Sequence, residues 1–217
     1  MSKTLLPPRF LFRFAVPCLY RDPLWTAKGA PLDEDCRIIG FDELDGGRTF
    51  ADVRFAWSEK GVAFSVRVGG KRRSVRCDVG RPLESDGLQV WIDTRDTHNI
   101  HRAGRFCHRF VFLPAGGARR SAEPWAEQVA INRARENPHS VSSDDLQVRS
   151  ENRVDGYWLQ GFIAASALTG YDPNDHQRLG FTYLVFDHEL GEQTFSCPRP
   201  FPFHEDPSLW GTLELVK

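Results

Sequence analysis

Hydrophobic and polar residues alternate with a period of two along most of the chain. The clearest case is Val53, Phe55 and Trp57, which a polar turn connects to a second alternating run beginning at Val62. Such alternation places every second side chain on the same face of a β-strand. It predicts strands at residues 10–16, 52–57, 62–68, 88–93, 106–113, 146–152, 156–163, 179–187 and 212–216. Only residues 125–134 and 164–168 suggest helix, and both segments are short.

Many short strands without alternating helices predict an all-β protein. We expect an antiparallel β-sandwich of the jelly-roll type, with long irregular loops and few short helices. A chain of 217 residues is long enough for one large β domain, so residues 1–217 are expected to form a single domain. Residues 114–121 and 137–145 are predicted to be long loops at one end of the sandwich, where a function is often placed.

The charge balance argues against nucleic acid and membrane as partners. Lys and Arg number 28 and Asp and Glu 29, a net charge of -1 that gives no general attraction to phosphates or anionic lipid. The one basic run, Lys71 to Arg73 with Arg76, is interpreted as a surface turn, with phosphate binding as the alternative. Neither a transmembrane segment nor the apolar core of a signal peptide is evident, which predicts a cytoplasmic protein. The five cysteines contain no C-x-x-C pair and predict free thiols.

Several segments in a fixed order resemble the family 9 carbohydrate-binding modules and the related DOMON sandwich domains. The first is Ala-Trp-Ser-Glu-Lys-Gly-Val-Ala-Phe-Ser-Val, and the second is Glu-Ser-Asp-Gly-Leu-Gln-Val-Trp-Ile-Asp. The matching segments are residues 56–66, 84–93, 155–168, 179–187 and 206–215, so the resemblance is strongest over residues 50–217. Each motif is weak alone, but their order favours this fold.

The resemblance implies a sugar-binding site. Members of that family hold a sugar between tryptophan faces, with charged and amide side chains bonded to its hydroxyls. The corresponding positions here are Gln89 and Arg109 on neighbouring strands, with Phe203 and His204 in the C-terminal loop. The resemblance also implies a structural calcium or other divalent cation at the strand-end acid Asp187, and no other cofactor is indicated.

Trp91 is the aromatic residue that this site is expected to use. It alternates to the same side of its strand as Gln89 and Asp93, which would place it beside Arg109. The alternative is a core position, because a tryptophan on a strand more often belongs to the interior.

Carboxylates and imidazoles are concentrated in one loop and the strand that follows it. Asp93, Asp96, His98 and His101 are candidate metal ligands, with His108 on the next strand. Imidazole and carboxylate ligands suit zinc or a similar ion, but the familiar zinc motifs are absent and the alternative is a solvated polar loop.

Three functions therefore remain open. The first is a non-catalytic binding domain for carbohydrate or a related polar ligand. The second is a metal-dependent protein that uses His98, His101 and His108. The third is a protein-interaction scaffold that has lost sugar binding, because this chain has Leu83 where the family has one of its tryptophans and Phe203 near the other. No nucleophile motif indicates an enzyme.

Overall fold

The computed structural model describes residues 7–117, 123–198 and 200–217. Within these ranges the regular structure is almost entirely β. The strands are β1 (Ala15–Tyr20), β2 (Ala51–Ser58), β3 (Gly61–Gly69), β4 (Gly87–Asp93), β5 (Cys107–Leu113), β6 (Trp125–Gln128), β7 (Leu146–Arg153), β8 (Gly156–Ala164), β9 (Arg178–Asp187), β10 (Gly191–Thr194) and β11 (Gly211–Val216). The helical segments of the described residues are short 3₁₀ turns, such as Pro8–Leu11 and Ala165–Ala167. None of them is long and apolar enough to cross a membrane.

The strands follow the order β6-β5-β4-β9-β11-β1-β2-β3-β8-β7, and β10 pairs with the C-terminal part of β9, residues 184–187. All pairings are antiparallel except those of β1, which runs parallel to β11 on one side and to β2 on the other. β1 is far from β11 in sequence and a long connection separates it from β2, so no tight hairpin requires antiparallel pairing. The all-β prediction is confirmed, and β1 makes the sheet mixed.

The strands from β2, β3 and β8 face those from β4, β5, β9 and β11 across one core. Phe55 of β2 meets Phe181 of β9 with ring centroids 4.8 Å apart, and Phe64 of β3 meets Phe112 of β5 at 4.6 Å. Both contacts have an edge-to-face geometry, which aromatic pairs prefer. The alternating hydrophobic residues of the sequence therefore supply the interior of a sandwich.

Two local predictions were wrong. Residues 125–134 were expected to be helical, but Trp125–Gln128 is a strand at the edge of the sheet because it pairs with β5. Residues 10–16 were expected to be one strand, but β1 begins at Ala15. The preceding segment is held differently, since the buried Arg9 guanidinium donates to Asp42 at 3.0 Å and to the Thr194 carbonyl at 3.1 Å.

Candidate functional site

The predicted site residues on β4 and β5 lie on the outer face of their strands. In β4, Leu88, Val90 and Ile92 point into the core, which leaves Gln89 and Trp91 on the opposite face. Trp91 and Arg109 are direct cross-strand partners. Side chains of one face alternate along each strand, so this pairing brings Gln89, Trp91 and Arg109 together.

Arg109 is the centre of this cluster. Its Nη2 donates to Gln89 Oε1 at 2.7 Å, and its guanidinium carbon lies 4.8 Å from the centre of the Trp91 ring. The residue is only 8% exposed, and its Nε has no hydrogen-bond partner among the described residues. Burial lowers the pKa of Arg109 to about 10, because the charged form loses its water. Arg109 is thus a buried cation whose bonded partner is a neutral amide.

Loops close over the aromatic part of the cluster. Trp91 is 0% exposed and packs edge-on against Phe203, with ring centroids 5.5 Å apart. Phe203 is itself buried, and its carbonyl accepts a hydrogen bond from Trp210 Nε1 at 2.6 Å. The Trp91 ring therefore packs against the Arg109 guanidinium and is covered by Phe203, so it presents no open face to a ligand in this conformation.

His204 forms the exposed edge of the cluster. Its side chain is 43% exposed, and its Nε2 lies 3.5 Å from Glu205 Oε1. Glu205 also accepts a hydrogen bond from Asn132 at 2.6 Å and lies 3.9 Å from Arg133. The structure thus brings Gln89, Trp91, Arg109 and Phe203 into one cluster, and His204 adjoins it through Phe203, with ring centroids 6.0 Å apart.

The acidic candidates for metal binding are used by the protein itself. Asp93 is buried and accepts hydrogen bonds from the backbone N–H groups of Arg95 and Thr97, at 2.9 and 2.7 Å. Burial raises the pKa of Asp93 above its usual value. Asp96 pairs with His98 at 2.8 Å and with Arg178 at 3.1 Å.

The other two candidate histidines, His101 and His108, lie apart from Asp96 and His98. His101 is exposed and contacts Asp206 at 3.1 Å, whereas His108 is fully buried, with Nδ1 3.3 Å from Gln128 Nε2. Burial lowers the pKa of His108 to about 3, so its imidazole is neutral. Across the described ranges, no group of three His, Cys, Asp or Glu side chains has the arrangement of a metal site. Asp96 and His98 are adjacent, but the structure does not bring the predicted set together.

Asp187, the expected cation ligand, faces the ammonium group of Lys71. Lys71 Nζ contacts Asp187 Oδ2 and lies 3.1 Å from Asp86 Oδ2, and all three side chains are buried. Burial alone would lower the pKa of Lys71, but the two carboxylates outweigh it and raise that pKa. The prediction of a surface turn was wrong for Lys71, which is 6% exposed, although Arg72 and Arg73 are exposed. We call Lys71, Asp86 and Asp187 the buried ion cluster.

The sequence had indicated no role for Lys71 within the fold, because its partners are distant in the chain. Asp86 also accepts from the backbone N–H groups of His188 and Arg76, at 2.8 and 3.0 Å. The buried ion cluster therefore ties the loop after β3 to the start of β4 and the end of β9.

Comparison with known proteins supports the fold. Neither a protein-family model nor a curated protein matches the sequence. The structure is similar to a family 9 carbohydrate-binding module from Caldicellulosiruptor kristjanssonii in complex with cellotriose, with a TM-score of 0.63, 13% identity and 94% of each chain covered. It is also similar to such a module from that organism in complex with glucose, with a TM-score of 0.62, 13% identity, and 93% of this chain and 95% of that one covered.

These likenesses confirm the fold that the ordered motifs predicted. The chain has the β-sandwich fold of the family 9 carbohydrate-binding modules. Since one fold hosts many functions, the function has to be argued from the site.

Proposed function

We propose that this chain is a non-catalytic carbohydrate-binding domain, with its ligand at the outer face of β4 and β5. The observation that carries the proposal is Arg109, a buried cation whose Nε has no partner and which no carboxylate of the described residues contacts, although the charge of Glu205 acts on it from farther away. Burying a charge without an ion partner is costly, and such groups are concentrated at functional sites. The fold supports the choice of ligand, since both similar modules hold a saccharide.

The polar groups of the cluster match the chemistry of a sugar. A guanidinium donates to hydroxyl oxygens, and the exposed His204 imidazole can donate and accept. The buried Gln89 amide accepts from Arg109 and donates to the Leu83 carbonyl, so it holds the guanidinium in place. The Trp91 ring under the guanidinium favours its charge by a cation–π contact and helps to hold it in place. Recognition here would depend on hydrogen bonds at the rim, with the aromatic residues in a supporting role.

Calorimetric titration with cellotriose tests this proposal, and a panel of immobilised glycans extends it to other saccharides. His204→Ala removes an exposed donor and acceptor, and Arg109→Lys keeps the charge but loses the planar fork. Each variant should weaken binding about tenfold, because the loss of one good hydrogen bond to the sugar costs about 1.4 kcal/mol, which is a factor of ten in affinity. His176→Ala is the matched control, because His176 lies in the loop before β9 and no hydrogen bond or ion pair of the described residues joins it to Arg109, His204 or Glu205.

The proposal fails if the folded wild-type protein binds no glycan in the panel. It also fails at this position if His204→Ala and Arg109→Lys bind as tightly as the wild type.

A protein-interaction role is the second candidate, and the burial of both aromatic rings of the cluster favours it. Trp91 and Phe203 are 0% and 1% exposed, so neither ring offers a stacking surface for a sugar. Leu83, at the position of one of the family's tryptophans, is 38% exposed beside Gln89 and donates no hydrogen bond from its side chain. A folded protein that binds no glycan in the panel would favour a protein-interaction role over carbohydrate binding.

A further inference from the structure

A cavity of about 260 Å³ lies between the loop after β3 and the hairpin that joins β7 to β8. Arg72, Arg73 and Ser74 line it from the loop, and Asn152 and Arg153 line it from the hairpin. We call it the cationic cavity. It is separate from the Arg109 cluster, and among its lining residues Lys71 also belongs to the buried ion cluster.

The positive charge of this cavity is only partly neutralised, because the Glu189 carboxylate acts on Lys71 and Arg73 without forming an ion pair with either. The guanidinium groups of Arg72 and Arg73 form no ion pair with any carboxylate of the described residues, whereas Arg54 and Arg67 each pair with an aspartate. Arg153 pairs with Glu151 at 3.0 Å, but both side chains are more than two-fifths exposed, where such pairs are weak. The chain carries a net charge of only -1, so this concentration of cations is a local feature.

The loop that carries these arginines is fixed before any ligand arrives. The Glu189 carboxylate accepts from the backbone N–H groups of Arg72 and Arg73, at 3.1 and 2.8 Å. Lys71, the preceding residue, is held in the buried ion cluster, and Arg76 N donates to Asp86. A site whose backbone is already ordered loses less entropy when a ligand binds.

We propose that the cationic cavity binds the anionic group of an acidic saccharide, a uronate carboxylate or a sulfate ester. Guanidinium groups bind both oxyanions through paired N–H donors. Ser74 and Asn152 supply neutral groups for the neighbouring hydroxyls. The volume is below the roughly 300 Å³ at which pockets for drug-sized ligands begin, which suits one sugar residue with its acid group. That the anion is carried by a saccharide rests on the proposed function.

Calorimetric titration of the full chain tests this inference with four probes. They are a galacturonate trisaccharide, a sulfated trisaccharide, neutral cellotriose and sodium sulfate. The variants are Arg72→Ala/Arg73→Ala and Arg153→Ala, whose side chains are exposed, so their loss should not unfold the protein. Arg135→Ala is the matched control, because Arg135 is an exposed arginine outside the cavity.

At about 20 mM salt, at least one acidic trisaccharide should bind about tenfold more tightly than cellotriose, and at about 300 mM this advantage should shrink because salt screens exposed charges. Arg72→Ala/Arg73→Ala should abolish the advantage, Arg153→Ala should reduce it, and Arg135→Ala should retain it. Which of the two acidic probes binds identifies the anion.

Three results would overturn the inference. The first is equal binding of the acidic and neutral trisaccharides by the wild type. The second is an acidic preference that survives in Arg72→Ala/Arg73→Ala. The third is sodium sulfate binding as tightly as either acidic trisaccharide, which would assign the cavity to a free anion. Cellotriose binding that depends on Arg109 and His204 would leave the proposed function standing in each case.

Discussion

Replacing Lys71 by methionine should destabilise the protein, because it leaves two buried carboxylates without their cation. The side chains of Lys71, Asp86 and Asp187 are 2%, 0% and 0% exposed, so water cannot take over the role of the ammonium group. Removing one partner of a buried ion pair costs about 3–5 kcal/mol. Methionine has a similar length and is flexible, so the loss of packing should add little.

The effect should depend on pH in a defined direction. Burial alone would raise the pKa of Asp86, but hydrogen bonds from His188 and Arg76 and the charge of Lys71 lower it. A carboxyl group whose pKa is lowered by folding stabilises the protein above its unfolded-state pKa of about 3.9, and this stabilisation is lost as the pH falls through the folded-state pKa.

In Lys71→Met the Asp86 carboxylate loses the cation that helps to lower its pKa, so its folded-state pKa should rise and the variant should lose stability as the pH rises. The difference from the wild type should be largest near neutral pH and should shrink towards about pH 4.

Urea unfolding of both proteins at neutral and acidic pH measures this difference. Lys28→Met is the matched control, since Lys28 is exposed and its replacement should change the free energy of unfolding by less than about 0.5 kcal/mol. Adding Asp187→Asn to Lys71→Met should recover part of the loss, because it removes the charge of Asp187, whereas Asp86 keeps the His188 imidazole 2.6 Å away. A loss below about 1 kcal/mol at neutral pH, or one that is equal at both pH values, would refute the reasoning.

Two further substitutions test the site and the core. Arg109→Met should abolish cellotriose binding. It should leave the free energy of unfolding within about 1 kcal/mol of the wild type or raise it, because burial of the guanidinium opposes folding and offsets the lost bond to Gln89. A loss above about 2 kcal/mol in urea unfolding would contradict this. Gly161→Ala should destabilise by about 1–3 kcal/mol, because its Cβ would lie 2.3 Å from the Phe64 ring. Gly104→Ala, with open space around the new Cβ, is its control, and equal unfolding free energies for the two variants would show that the Phe64 contact is not rigid.

Much of the fold follows from local pattern. In β4, the alternation of Leu88, Val90 and Ile92 with Gln89 and Trp91 predicted both the strand and its two faces, and the structure agrees. A period of two leaves little choice, because a strand with one face in the core must turn every second residue outward. The same alternation correctly placed Trp91 on the side of Gln89.

Local pattern was a poorer guide where a distant contact decides the structure. Residues 125–134 suggested a helix, but pairing with β5 makes Trp125–Gln128 a strand. The propensity difference between helix and strand is small per residue, so a row of backbone hydrogen bonds to a neighbouring strand outweighs it.

Tertiary structure decided almost all of the chemistry of the Arg109 cluster and of the buried ion cluster. Alternation could place Trp91 on the outer face, but only the packing of Phe203 over it determined that the ring is covered. Lys71 reads as part of an exposed basic run, and only the approach of Asp86 and Asp187 makes it a buried cation. Periodicity is a property of neighbouring residues, whereas burial and charge pairing depend on which distant segments meet.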